Sequence, residues 1–141
     1  MIIIFINIII TSTIYLNFLE RQKGFERVKI ALRAKESIIS EKLDQFGIRP
    51  NNINIIIIIY KSEDILEIYG TKKMGAIYQK LISYDICSRS GQLGPKRQSG
   101  DNQVPEGFYH INRFNPLSKF YLSIGLNYPN SSDKLKSKQQ T

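Results

Sequence analysis

Residues 53–69 read INIIIIIYKSEDILEIY, and this stretch decides the fold class. The first part is a short run dominated by isoleucine, which favours a buried β-strand because helices need longer runs. The polar residues 61–64 form a turn, and residues 65–69 begin a second β-prone run. Two such runs joined by a short polar turn predict an antiparallel hairpin.

A second turn is predicted at residues 70–75, and further strands follow it. A third strand is expected at 76–86, a fourth at 108–114 and another at 121–126. Strands at a spacing of about 10 residues are typical of an antiparallel meander. From Tyr128 the sequence becomes polar without apolar periodicity, so we expect a frayed C-terminus.

An amphipathic helix is predicted over residues 25–46. Gly47 follows where a C-capping glycine belongs, and Pro50 lies shortly beyond it. The apolar stripe favours packing against the domain, whereas a membrane-surface helix is disfavoured by the acids on the polar face. The stripe has spacings of three, four or seven residues and consists of Phe25, Val28, Leu32, Ile39, Leu43 and Phe46. With the strands, this helix predicts a mainly β fold with N-terminal helices, in the α+β class.

Residues 1–19 contain no charged side chain, and about 20 apolar residues suffice to span a bilayer as a helix. Asn7, Asn17 and the polar residues 11–13 interrupt the segment, and a basic n-region is missing. Three interpretations stay open: a membrane anchor or uncleaved signal, a degraded signal peptide, or a buried strand or helix of the fold. The favoured division is an anchor or signal-like segment at 1–19, an amphipathic helix at 20–49 and a domain at 50–141.

The composition excludes several kinds of site. The chain has 141 residues and a net charge of +8, which favours anionic partners such as murein, phospholipid or nucleic acid. Because the charges are dispersed, no specific nucleic-acid partner is expected. One cysteine, Cys87, and one histidine, His110, exclude an intrachain disulfide and a zinc site of about four ligands. We expect neither a metal nor a cofactor.

Residues 90–109 read SGQLGPKRQSGDNQVPEGFY, a connection rich in glycine and proline whose shape is expected to matter. The pattern SG-x-LGPK-x-x-x-GD-x-x-x-PEGFY, after an extended run and Leu-Glu-Ile-Tyr, resembles the L,D-transpeptidase (YkuD-like) catalytic domain, and within it the murein branch. The stretch at 127–130, Asn-Tyr-Pro-Asn, is similar to a downstream element of that family. The resemblance covers residues 27–133.

The resemblance implies a partial β-sandwich or barrel and cysteine acyl transfer on the stem peptides of murein. It also implies a cell-envelope location, periplasmic or membrane-anchored through residues 1–19. The family carries its nucleophile and histidine on an HG-x-x-x-S-x-GC motif, which this sequence lacks. No catalytic residue is therefore assigned. Cys87 is expected to be a partly buried structural cysteine, and His110 a surface or hydrogen-bonded residue.

The loop is expected to build one wall of a groove for peptidoglycan stem peptides. Lys96 and Arg97 either pair with stem carboxylates or are solvated loop charges. Asp101 is expected to cap local amides, and Glu106 to help set the loop. The predicted groove residues are Gly94, Pro95, Lys96, Gly100, Asp101, Pro105, Glu106, Gly107, Phe108 and Tyr109.

Two functions are expected from this pattern. The first is a murein L,D-transpeptidase-type protein for cell-wall biogenesis and cell shape, inactive as a truncated chain without the family's motif. The alternative is a non-catalytic basic module that binds murein or the envelope. A basic nucleic-acid binder is disfavoured, because no reader motif accompanies the net charge of +8.

Overall fold

The computed structural model describes residues 1–6 and 12–138 of the chain, with side chains left undescribed at 3–6, 12–16 and 138. Three helices and six strands lie in these ranges, and strands are the larger share. The chain order is β1 (Ile2–Ile6), α1 (Ser12–Lys23), α2 (Glu26–Gln45), β2 (Asn54–Tyr60), β3 (Ile65–Thr71), β4 (Gln79–Asp85), β5 (Gly107–Ser118), β6 (Tyr121–Leu126) and α3 (Ser131–Lys138).

The isoleucine run forms a central strand of the sheet, whose order is β4-β3-β2-β1-β5-β6. The expected antiparallel meander is confirmed, since β2 pairs with β3 and β3 with β4. Asp64 closes the first turn at a φ of 53°, which aspartate tolerates better than bulkier residues. The third strand is shorter than expected and starts at Gln79 rather than residue 76.

Strand β1 lies between β2 and β5. It pairs antiparallel with β2, with Ile2 opposite Ile59, and parallel with β5, with Ile2 opposite Gly107. Residues 2–6 therefore take the buried-strand alternative of the three interpretations of the N-terminus. Residues 7–11, on which those interpretations also depend, lie outside the described residues. Among the residues that are described, no helix is both long and apolar enough to cross a membrane.

Strand β5 is shared between two parts of the sheet. Residues 107–110 pair with β1, and from Ile111 onward the strand pairs with β6. The register shifts twice along the second part, at Ile111/Arg113 and Asn115/Ser118. Irregularities of this kind bend a strand and increase its twist. The predicted α+β class, with mostly strand content and a partial β-sandwich, is confirmed.

Two apolar clusters lie on one face of the sheet. The first is centred on Ile2, Ile57 and Tyr109, each less than 10 % exposed. The second joins Leu43 of α2 to Ile48 and to Leu81 of β4. Val104, from the β4–β5 connection, packs against the first cluster. The connection that carries the candidate site is therefore anchored directly on the core.

Helix α2 ends as its sequence predicts. Gly47 has a φ of 60°, its amide donates to Asp44 O, and the Ile48 amide donates to Leu43 O. This is the Schellman arrangement, which places the apolar side chains of Leu43 and Ile48 in contact. One member of the predicted stripe is less buried than expected, since Ile39 is 53 % exposed.

Candidate functional site

The connection between β4 and β5 has no regular secondary structure and is held in shape by its own polar groups. Gly91 and Gly100 have φ values of 77° and 81°, in the left-handed region that favours glycine. At the start of the connection, Arg89 donates to Asp64 Oδ1 at 2.6 Å and to Gly91 O at 3.1 Å. These bonds tie the connection to the turn between β2 and β3.

Asp101 organises the middle of the connection. Its carboxylate accepts hydrogen bonds from the amides of Arg97 (2.8 Å), Gln98 (3.0 Å) and Gln103 (3.0 Å), and it pairs with the Lys96 ammonium. The Gln98 amide, followed by Lys96, holds the pKa of Asp101 well below its usual range. The expected capping role of Asp101 is confirmed. Lys96 is therefore paired within the chain, and its predicted pairing with a stem carboxylate stays a prediction.

Lys61 joins the middle of the connection to its C-terminal end. Its ammonium, on a side chain that is 3 % exposed, donates to Gly94 O (2.6 Å), Val104 O (3.0 Å) and Glu106 Oε1 (2.9 Å). The ammonium in turn lowers the pKa of Glu106. Sequence reasoning missed Lys61, because a lysine at the start of a polar turn is usually solvated.

The segment after β6 forms the second wall of the site, and its expected fraying is wrong. Residues 131–138 form α3, and a reciprocal capping box starts it: Asn130 Oδ1 accepts from the Asp133 amide, and Asp133 Oδ2 accepts from the Asn130 amide. Asn130 Nδ2 also donates to Phe108 O at 3.0 Å. These bonds dock the start of α3 on the outer edge of β5.

Tyr109 links α3 to the core. Its side chain is 2 % exposed, and its hydroxyl donates to Asp133 Oδ1 at 2.9 Å. Burial, and after it the Asp133 carboxylate, raise the pKa of Tyr109 well above its usual value. Asp133 thus caps its own helix with one oxygen and holds the buried hydroxyl with the other.

We expect Asp133→Ala to lower the free energy of unfolding by about 1–3 kcal/mol, because it leaves the buried Tyr109 hydroxyl with only the longer contact of 3.4 Å to Glu106 O. Amide exchange in 131–138 should accelerate at the same time, since the helix loses its cap. Urea unfolding and hydrogen exchange measure the two effects. The matched control is Ser137→Ala on the same helix, with little change expected. Unchanged exchange in α3 of Asp133→Ala would show that the cap does not hold the helix.

An open cleft of about 810 Å³ lies between the connection and α3. Three of the predicted groove residues line it: Pro95, Lys96 and Asp101. The prediction missed the α3 wall, which an Asn-x-x-Asp capping pattern was available to indicate. The full lining is Pro95, Lys96, Arg97, Gln98, Ser99, Asp101, Gln103, Tyr128, Pro129, Asp133, Lys134 and Ser137.

Arg97 and Lys134 also line the cleft, and they differ from Lys96 because they form no ion pair among the described residues. Arg97 is half-buried, Lys134 is exposed, and neither side chain has an ion-pair partner among residues 1–6 and 12–138. The Asp101 and Asp133 carboxylates are already committed to local amides and to Lys96 or Tyr109. The cleft therefore offers unpaired positive charge to a ligand, and its negative charge is used internally.

The other predicted groove residues lie behind or beside the cleft. Glu106 is bound to Lys61, Tyr109 is in the core, and Phe108 is 60 % exposed on β5. The remaining four are connection or strand residues outside the lining: Gly94, Gly100, Pro105 and Gly107. The expectation that Glu106 helps to set the loop agrees with its bond to Lys61.

Comparison with curated proteins gives a clear relationship. The chain is 45 % identical over 82 residues to "Putative L,D-transpeptidase YafK" of Escherichia coli strain K12, and equally to the protein of that name from Escherichia coli O157:H7. The chain is related to L,D-transpeptidases. The match takes in 57 % of this chain, and it covers 32 % of the length of these curated relatives. No family model matches the chain.

The single cysteine and the single histidine of the chain, Cys87 and His110, both lie outside the cleft. Cys87 is exposed after the end of β4, so the expectation of a partly buried cysteine is wrong. The strand stops at Asp85, and the chain leaves the sheet before it reaches the thiol. His110 is exposed, as expected, with its amide donating to Asn127 Oδ1 at 2.8 Å. Neither residue lines the cleft.

Proposed function

We propose that this chain provides a stem-peptide-binding surface of a murein L,D-transpeptidase-type protein in the cell envelope. The support is the 45 % identity to "Putative L,D-transpeptidase YafK" over 82 residues, together with a structured connection that lines a cleft. A membrane anchor in residues 1–19 is not part of the proposal, because residues 2–6 are a strand of the sheet.

The observation that carries the proposal is the unpaired Arg97 guanidinium at the rim of a preformed cleft. Murein stem peptides present several carboxylates in an extended chain, and a guanidinium binds a carboxylate with two parallel hydrogen bonds. The Arg97 amide is fixed by Asp101 at 2.8 Å, so the backbone that presents the side chain is already ordered. Ordering before binding reduces the entropy that association loses.

Binding, and not the acyl-transfer step, is assigned to the described residues. Acyl transfer by a cysteine needs a thiolate and a base within hydrogen-bond reach of each other and of the substrate. Cys87 follows β4 at the far edge of the sheet from β5, which carries His110, and neither contributes to the cleft. The cleft groups described above position a peptide and attract its charge.

We expect the tetrapeptide L-Ala-γ-D-Glu-meso-diaminopimelate-D-Ala to bind the chain, and Arg97→Gln to weaken that binding about tenfold or more, as loss of a charged hydrogen bond implies. Chemical-shift titration of the full chain measures the affinity and locates the contact. Arg113→Gln is the matched control, since Arg113 is an exposed arginine on β5 outside the cleft. Equal weakening by both variants would indicate unspecific attraction to the net charge of +8. No shifts at 95–103 would refute the proposal.

A non-catalytic murein-binding module is the second candidate, favoured by the exposed Cys87 lying away from the cleft. The two candidates differ in chemistry and share the binding surface. Incubation with the tetrapeptide followed by intact-mass spectrometry tests whether the described residues carry any chemistry. A stable acyl adduct or a shortened stem would overturn the assignment of binding alone, whereas retention on purified murein with no adduct and no cleavage is the result expected of the module.

A further inference from the structure

We propose that Lys61 is a positioning residue that sets the shape of the cleft from behind. It does not line the cleft, and its side chain is buried under the connection. The inference concerns the geometry of the cleft wall, and it rests on the proposed function only where peptide affinity is measured.

The Lys61 ammonium closes the connection into a ring. It binds Gly94 O at 2.6 Å and Val104 O at 3.0 Å, which brings two residues ten positions apart to one nitrogen. Every residue that the connection contributes to the cleft lies between these two carbonyls. They are Pro95, Lys96, Arg97, Gln98, Ser99, Asp101 and Gln103.

The convergence requires a cation at this point. Three oxygens, from Gly94, Val104 and Glu106, meet at one buried position, and each carries negative partial or full charge. Without the ammonium these oxygens repel one another in a partly buried site, and residues 94 and 104 separate. The Asp101 hydrogen bonds inside the ring do not replace this closure, because they join residues between 96 and 103.

Positioning is distinguishable from a contribution to global stability. Replacing a buried ion pair with apolar residues of similar volume often leaves stability unchanged, although the hydrogen bonds that fixed local geometry are lost. The double variant Lys61→Met with Glu106→Leu removes both charges and the bridge between the carbonyls. A purely stabilising pair would then leave the cleft wall as it is, while a positioning lysine would leave it loose.

Hydrogen exchange of the full chain decides between these roles. The probes are the amides of Arg97, Gln98 and Gln103, which Asp101 protects. In the double variant we expect these amides to exchange about tenfold faster while the melting temperature and the exchange of β2 and β3 stay near wild type. The matched control replaces Glu67 with leucine and Lys80 with methionine, an ion pair of 3.0 Å away from the connection. It should leave exchange at 97–103 unchanged. Unchanged exchange at 97–103 in the Lys61 double variant would overturn the inference.

If the double variant melts far below wild type, a second variant, Glu106→Gln, still tests whether Lys61 sets the cleft wall. Glu106→Gln keeps the ammonium and both carbonyl contacts, so exchange at 97–103 should stay near wild type. Faster exchange in Glu106→Gln would overturn the inference, because the carboxylate and not the bridging ammonium would then set the wall.

Tetrapeptide affinity separates this inference from the proposed function. If wild type binds the tetrapeptide, the Lys61 double variant should bind about tenfold more weakly, and the Glu67/Lys80 control should bind like wild type. If wild type does not bind while exchange at 97–103 still accelerates in the double variant, the proposed function fails and the positioning role stands.

Discussion

Lys61→Met is expected to lower the free energy of unfolding by about 2–4 kcal/mol, because it leaves the partly buried Glu106 carboxylate and two partly buried carbonyls without the ammonium that binds them. This loss of stability should not exceed the loss from breaking a fully buried ion pair, since the Glu106 side chain is 28 % exposed and keeps some contact with water. Methionine fills much of the space of the lysine stem, so cavity formation contributes little.

Urea unfolding measures this loss of stability, and two further variants identify its cause. Lys61→Met combined with Glu106→Leu should recover most of that loss, because no charge is left unpaired and only the two carbonyls still lack a donor. Lys80→Met is the matched control for removing a lysine from a Lys–Glu pair, and its side chain is 54 % exposed. Solvent screening should leave that variant near wild type. If Lys61→Met were as stable as Lys80→Met, the Lys61 contacts would not hold in solution.

Local signals in the sequence predicted the meander and the end of α2. The isoleucine run, the polar turn and the β-prone residues 65–69 each act over a few neighbours, and β2, β3 and β4 form where these patterns place them. The same holds for Gly47, whose left-handed φ of 60° is a property of the residue itself. Such features depend little on the rest of the chain.

The structure of the N-terminal segment depends on pairing with residues far away in the sequence. The sequence alone therefore left its structure undecided. An uncharged run fits a spanning helix and a buried strand equally well by composition. Its pairing with residues 107–110, more than 100 positions away, decides the outcome, and no local pattern encodes that register. Lys61 was missed for the same reason, since its partners at 94, 104 and 106 become neighbours after the sheet forms.

Helix α3 was missed for a different reason, because its signal was present in the sequence. Asn130 and Asp133 stand three positions apart, as in a capping box, but the segment lacks the apolar periodicity that usually indicates a helix. The helix is held by its cap and by the Asp133–Tyr109 bond, more than by an apolar face. The prediction therefore lacked the wall of the cleft that α3 provides through Asp133, Lys134 and Ser137.

Gly91→Ala is expected to lower the free energy of unfolding by about 2–5 kcal/mol, the sum of a left-handed backbone and an overpacked contact. Gly91 has a φ of 77°, and a Cβ there would lie 2.6 Å from Asn102 O and 2.9 Å from Gln103 Cα. The Gln103 Oε1 atom is nearer still, but rotating that side chain cannot relieve the overlap with the two backbone atoms. The connection itself would have to open.

Gly100→Ala is the control that separates the two contributions. Its φ of 81° is almost the same, but a Cβ at that position meets no atom within 4 Å. Gly100→Ala should therefore cost about 1–2 kcal/mol from backbone strain alone. The difference between the two variants in urea unfolding measures how tightly residue 91 packs on residues 102 and 103. Equal losses would mean that the connection is loose there, and a loose connection would not present Arg97 in a fixed place.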